Sequence, residues 1–358
     1  MSPTRLMGQA DTVAATAANP PARRPTIETL RPFRFTISMP PLNRPVAAWR
    51  DEIRRIEDLG FSSVAISDHL TGGWAMDPVV AMTVAAEATT QLRVLGMVFC
   101  NDFRHPVLLH KSMANLDVFS GGRVEIGLGA GWMSDDHDAI GLPFDPAGVR
   151  IDRLAEAIEV VRGLFGPDPL TWHGKHYQVT AADGLPKPVQ RPHPPILVGG
   201  GGRRVLELAG ARADIVGINP RLAPDVDPLA AVADMSPARI TQKLAWARAA
   251  AVAAGRDPAA LEFQLRIFDL RVSVDGVEHT STSSHARNSS PADLAASPSV
   301  LHGSVSACVD QLIATRERLG INYFHLGSHV DAAAPIVARL AGSPGNPPIS
   351  PQKPPAPH

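Results

Sequence analysis

Ser67-Asp68-His69-Leu70 sets an imidazole beside a carboxylate at the end of an apolar run. Histidine is the side chain most easily tuned for proton transfer near neutral pH, and an adjacent carboxylate can orient it or raise its basicity. A histidine merely satisfied at a rim is the equal alternative from position alone. A second run ends in Cys100-Asn101-Asp102-Phe103-Arg104-His105-Pro106. Arg104 there could grip an anionic cofactor or substrate, while Asn101 and Asp102 also read as caps of the next helix. Gly127-Leu128-Gly129-Ala130-Gly131-Trp132 alternates glycines, which let a ligand approach the backbone, and adds the flat apolar face of an indole. Gly199-Gly200-Gly201-Gly202-Arg203-Arg204 leads straight into a helix. Free N–H groups and the helix dipole make that a phosphate cradle, preferred over a flexible turn.

Two other clusters read more plainly. His173 and His176 fall in a Gly-containing excursion with no carboxylate at ligand spacing, so surface residues are expected and no metal site. Asp135-Asp136-His137-Asp138 reads as a solvated loop with a helix start.

Such side chains need a scaffold, and the 358 residues, 44% hydrophobic, supply a large core. With 34 Lys and Arg against 35 Asp and Glu there is no basic excess, which argues against nucleic acid as partner. The two cysteines, Cys100 and Cys308, lack CxxC spacing and fit a reducing cytosol. No apolar run approaches the roughly 18 residues of a membrane helix. Arg23-Arg24 is followed by Pro-Thr-Ile-Glu-Thr rather than an apolar signal core, so a cytoplasmic protein is expected. Residues 1–31 show little periodicity, and 343–358 carry the seven prolines of Pro344–Pro357. Both ends are expected to be disordered, leaving one globular domain over 32–342.

Within that domain β-rich and helical runs alternate. Strands are expected at 33–38, 63–67, 93–98, 123–128, 196–198, 214–218, within 262–274, and at 323–326. Helices are expected at 46–59, 77–88, 106–119, 151–165, 203–211, 238–254, 305–318 and 330–340. Gly60 closes the first helix and Pro106 starts the third. A hairpin is expected around 173–179, and Gly276 to Ala296, rich in Ser and Thr, reads as a loop. Eight strand–helix units imply parallel pairing and fit a closed α/β barrel, a (β/α)8 TIM barrel, whose chemistry sits on the loops after the strands.

Taken together, AISDHL at 65–70, RHP at 104–106, LDVFSGGRVEIGLGAGW at 116–132, GLPF at 141–144, RLAEAIEVVRGLF at 153–165 and PPILVGGGGRRVLELAGARADIVG at 194–217 resemble the bacterial luciferase-like superfamily. They resemble most its coenzyme F420-dependent (deazaflavin) branch. The resemblance implies a cofactor across the carboxyl ends of the barrel strands and a proton- or charge-transfer role for His69, with Asp68 beside it. It implies a bulge, often a non-proline cis peptide, backing the ring around Met97 and Val98. Gly129, Ala130 and Gly131, and the loop of Gly200, Gly201, Gly202 and Arg203, match the segments that hold ribityl and phosphate groups; Asn101 and Arg104 belong to the same set. Ser38, Trp74 and Trp132 are expected in the substrate pocket. Sugar-phosphate dehydrogenases of this branch have a Glu where this chain has Trp132, so glucose 6-phosphate is not expected, and the indole points to a more apolar pocket. The resulting expectation is an F420-dependent oxidoreductase acting on a small organic molecule. An FMN-dependent monooxygenase and a non-catalytic deazaflavin-binding protein are the alternatives. A homodimer is implied by the resemblance alone.

Overall fold

Strand residues two apart point the same way, and here the two faces differ sharply in chemistry. In β1 (Arg34–Ser38) Phe35 and Ile37 face the main apolar core, whereas Arg34, Thr36 and Ser38 lie on the other face. A computed structural model describes residues 30–221, 231, 233–282 and 297–341. In chain order α1 (Val46–Asp58), β2 (Ser63–Ile66), α2 (Pro78–Ala88), β3 (Arg93–Cys100), α3 (Pro106–Ser120) and β4 (Val124–Gly129) follow. Next come α4 (Ser134–Ala139), α5 (Ala147–Phe165), β5 (Leu170–His173), β6 (Gln178–Ala182), β7 (Ile196–Gly200), α6 (Arg203–Arg212) and β8 (Ile215–Ile218). The chain continues through α7 (Pro237–Ala253), β9 (Glu262–Arg266), β10 (Asp269–Val274), β11 (Val277–Thr282), β12 (Val300–Ser304), α8 (Val305–Leu319), β13 (Tyr323–His325) and α9 (Val330–Leu340).

Eight strands close into a parallel barrel in the order β1-β13-β9-β8-β7-β4-β3-β2. Their outward residues, such as Phe263, Leu265, Phe324, Ile126 and Leu128, pack under the helices, each burial stabilising by roughly 1.5–3 kcal/mol. Helix ends follow local chemistry. Asp77 accepts from the N–H of Val80 at 2.9 Å to cap α2, with Pro78 in the first turn. Gly60 takes φ +85° just beyond α1, as a left-handed turn requires.

Inside the barrel, the amino-terminal pole is an ionic floor. Glu125 accepts from Arg34 and, at 2.6 Å, from Nε of Arg93; Arg34 also reaches Glu262 at 2.7 Å, and the Tyr323 hydroxyl donates to Glu125 at 3.1 Å. Burial alone would raise the Glu125 carboxyl, but the two guanidinium groups hold it below its usual range.

The expected barrel, its helices and the hairpin (β5 antiparallel to β6) are present. Two expectations are corrected, and one further strand went unread. The run 262–274 is two strands, since β9 belongs to the barrel while β10 joins a separate sheet in the order β11-β10-β12. Residues 277–282, read as loop, form β11, because Thr and Ser alternate there opposite β10 in full antiparallel register; 283–296 lie outside the described residues. Residues 300–304 form β12, paired in parallel with β10, which local pattern did not reveal. The tails expected to be disordered fall outside the described residues, except residues 30 and 31.

Candidate active site

The inward, polar face of the strands ends at the carboxyl mouth, where the loops after β2, β3 and β4 converge. His69, just past β2, hydrogen-bonds through Nδ1 to Asp136 Oδ2 at 2.7 Å. Asp136 stands in the first turn of α4 and also accepts from the N–H groups of Leu70 (3.0 Å) and Thr71 (2.9 Å) and from the Thr71 hydroxyl (2.7 Å). Burial on its own would raise this carboxyl; the hydrogen bonds from His69, Thr71 and Leu70 prevail and bring it down to about 2. An ionised carboxylate only accepts, so Nδ1 carries the donated proton and Nε2 is left for other partners. The ring lies 5.1 Å from the Trp74 indole and 5.9 Å, edge-on, from that of Trp132.

The carboxylate that orients His69 is therefore Asp136, not its neighbour Asp68. Asp68 points the other way, accepting from the Cys100 N–H at 3.1 Å and from Arg104. Burial lifts its carboxyl above the usual range despite Arg104. Arg104 spans Asp68 and Asp77 (2.9 Å), so its fork grips protein carboxylates rather than standing open for an anion. The reading of Asp135–Asp138 as a solvated loop is corrected as well, because Asp136 and His137 are buried. Asn101 and Asp102 do not cap α3; His105 does, accepting from the Val107 N–H at 3.3 Å. Instead Asn101 donates to the Tyr177 hydroxyl at 3.0 Å, and Asp102 pairs with Arg153 at 2.9 Å.

The peptide Met97–Val98 is cis, and the register of β3 against β4 shifts between Gly96 and Phe99. Met97 O accepts from the Ser67 hydroxyl at 3.1 Å. The bulge explains the glycines beside it. A Cβ on Gly127 would collide with the Gly96 carbonyl oxygen, and one on Gly129 would come within 2.5 Å of Val98. These two positions are seats for the bulge, where the sequence reading gave them to a ligand. Gly131 adopts φ +76°, and Arg150 donates to its carbonyl and, at 3.0 Å, to that of Ala130.

Farther round the mouth, Gly200 packs on Val205 and Gly201 on the backbone of Pro220. Among the described residues a Cβ on Gly202, the cap residue of α6, would meet nothing within 4 Å, and no side chain of theirs caps the free N–H groups of that first turn. Arg203 does not turn toward them; it bonds Glu207 at 2.7 Å along the outer face. Ser38, ending β1, bonds His325 Nε2 at 3.0 Å. Trp74 is half exposed. Sequence reasoning missed Asp136, Arg150 and Tyr177. The one available signal was an acidic pair at a helix start soon after the glycine-rich strand. Among the described residues no cluster of His, Cys, Asp or Glu could hold a metal, and no helix is long and apolar enough to cross a membrane.

Comparison with known proteins agrees with this architecture. Residues 32–323 match the model of the family described as luciferase-like monooxygenase. An FMNH2-dependent dimethylsulfone monooxygenase of Pseudomonas putida is 30% identical over 162 residues, 44% of either chain. A 4-hydroxyprotoasukamycin monooxygenase of Streptomyces nodosus subsp. asukaensis is 30% identical over 200 residues, 52% of either chain. The matches thus span about half the length of these curated relatives. Among solved structures, an F420-dependent secondary alcohol dehydrogenase superposes with TM-score 0.70 at 20% identity, covering 88% of this chain and 99% of that one. The coenzyme F420 dependent tetrahydromethanopterin reductase of Methanopyrus kandleri gives 0.65 at 20% identity, covering 86% and 97%. At such identities the likeness is one of fold.

Proposed function

The chain belongs to the luciferase-like monooxygenase family, and from that premise we propose that it is an oxidoreductase that uses coenzyme F420 to exchange a hydride with a small organic molecule. The observation that carries the reading is the His69–Asp136 pair, with Nδ1 held by the carboxylate and the ring lying 5.1 Å from the Trp74 indole and 5.9 Å from that of Trp132. When hydride leaves or reaches a carbon bearing oxygen, that oxygen must lose or gain a proton. A histidine whose orientation is locked by a carboxylate suits that task. The residues present fit the group: a helix start at Gly202 that no side chain caps among the described residues suits its phosphate, and the bulge at Met97 and Val98 would back its ring. In this reading Ala130, Gly131, Gly200 and Gly201 would supply the backbone of the loops that hold it.

When bound, the deazaflavin supplies or accepts the hydride at C5. The chain's own work is to stack the substrate between Trp74 and Trp132, keep water out, and move a proton at Nε2 of His69. Ser38 closes the pocket from β1. We place the protein in the cytoplasm, where its two buried free cysteines suit a reducing compartment. A homodimer is the assembly we expect, with the barrel of residues 32–342 as its single domain.

A second reading is favoured by one observation: a relative that is 30% identical over 162 residues is an FMNH2-dependent monooxygenase. In that reading the same mouth takes FMN and the chain is a monooxygenase. Titration of the purified protein with coenzyme F420 and, separately, FMN, followed by cofactor fluorescence, tests both. Micromolar or tighter binding of the deazaflavin alone is expected. Preference for FMN moves the assignment to the monooxygenase, and binding of neither overturns it.

A further inference from the structure

The arginines of the barrel interior and mouth differ in what faces them. Arg34 meets two carboxylates, Arg93 one, Arg104 two and Arg153 two. Arg266, the last residue of β9, makes no ion pair or hydrogen bond among the described residues, and its Nε is buried without an acceptor. Its guanidinium carbon lies 5.9 Å from the centre of the Phe268 ring, at the outer limit for a cation–π attraction. Arg266 shares a face of β9 with Glu262 and Gln264, and it lies opposite His325 in the register of β9 and β13. It lines a cavity of about 50 Å³ together with Ser38, Phe268, Ser281, Thr282 and Ser328.

A guanidinium stays charged in a protein and cannot shed its proton to escape burial. Withdrawing it from water without a counter-ion is costly, so buried charges are normally paired. His325 does not serve as that partner. Its burial, and then the nearby Arg266, hold it well below the usual histidine range, which leaves it neutral with Nε2 on Ser38 and Nδ1 unpartnered. The cavity therefore combines a guanidinium, whose buried Nε has no acceptor among the described residues, with the hydroxyls of serine and threonine. Those are the donors of an oxyanion site.

We propose that Arg266, beside the Ser38–His325 pair, forms a subsite for the anionic head (carboxylate, sulfonate or phosphate) of the substrate. This deepens the reading above, since it rests on the mouth being where substrate binds. The substrate then has two parts: an apolar body against Trp74 and Trp132, and an oxyanion on Arg266.

The test is thermal unfolding of the full-length chain with hexanoate, hexanesulfonate, hexyl phosphate or neutral hexanamide. Each is measured on the wild type, Arg266→Met and Arg266→Gln. At least one anion is expected to raise the wild-type Tm while hexanamide does not, and the three anions rank the head groups. Both variants are expected to bind that anion on the order of 10–100-fold more weakly. Without ligand, Arg266→Met is expected to unfold at the same or a higher temperature, because an unpaired charge has been replaced by an apolar chain. No anion-specific shift in the wild type overturns the proposal, as does a shift retained in both variants. A ligand-free Tm that falls in both variants and returns in Arg266→Lys would make the arginine structural and overturn it too. None of these measurements needs cofactor or turnover, so their failure and that of the cofactor titration are read separately.

Discussion

At His69 one ring nitrogen belongs to Asp136, and this division of labour fixes what each substitution must do. His69→Ala removes the proposed proton carrier, so kcat is expected to fall by roughly 10²–10⁴-fold with cofactor affinity almost unchanged; unchanged turnover would remove the role. Asp136→Asn keeps the shape but loses the acceptor that selects the tautomer. It should lower kcat, shift its pH profile and leave KM close to the wild-type value. The same variant has a signature in stability. The Asp136 carboxyl titrates at about 2 in the folded chain, below its ordinary value of 3.8, so its contribution is complete above pH 3.8 and lost as pH falls through about 2. In Asp136→Asn the unfolding free energy should change less steeply between those limits; an unaltered slope would refute the coupling. His69 was legible because SDH closes a β-run. Asp136 was not, because the two residues meet only across the mouth, and a run of acidic residues looks solvated until something is packed on it.

Among the elements, β3 dictates the residues of its neighbours. Its bulge brings the Gly96 carbonyl and Val98 against β4, and only glycine fits at 127 and 129. Gly127→Ala, which does not touch His69, is expected to destabilise the fold by about 1–3 kcal/mol through overpacking. Chemical denaturation measures this, and a change below about 0.5 kcal/mol, the range of neutral surface substitutions, would mean the bulge yields. The sequence showed these glycines as a pattern and misassigned their cause, since a missing Cβ looks the same whether a ligand or a neighbouring strand fills the space. Long amphipathic helices and buried strands were legible for the opposite reason: their periodicity is written locally. The small sheet of β10, β11 and β12 was lost because its partners, 269–274 and 300–304, are joined through a polar stretch that carries no period.

For the whole molecule, the alternation of strand and helix was enough to give the barrel, while the contents of its interior were hidden. Arg34, Arg93, Glu125, Glu262 and Tyr323 come from five separate strands and look like ordinary surface residues until the sheet closes and brings them together. Removing one partner would leave an uncompensated buried charge, a loss of roughly 3–5 kcal/mol. That ionic floor also has a kinetic meaning. With that pole filled by ion-paired side chains, a cofactor and a substrate bound as proposed would both enter by the carboxyl mouth, and the one lying deeper would bind first and leave last. Steady-state kinetics should accordingly be ordered, with the oxidised and reduced cofactor competing for one form of the enzyme and the substrate's product competing with neither. Random-order inhibition patterns would mean that the floor has a second way out.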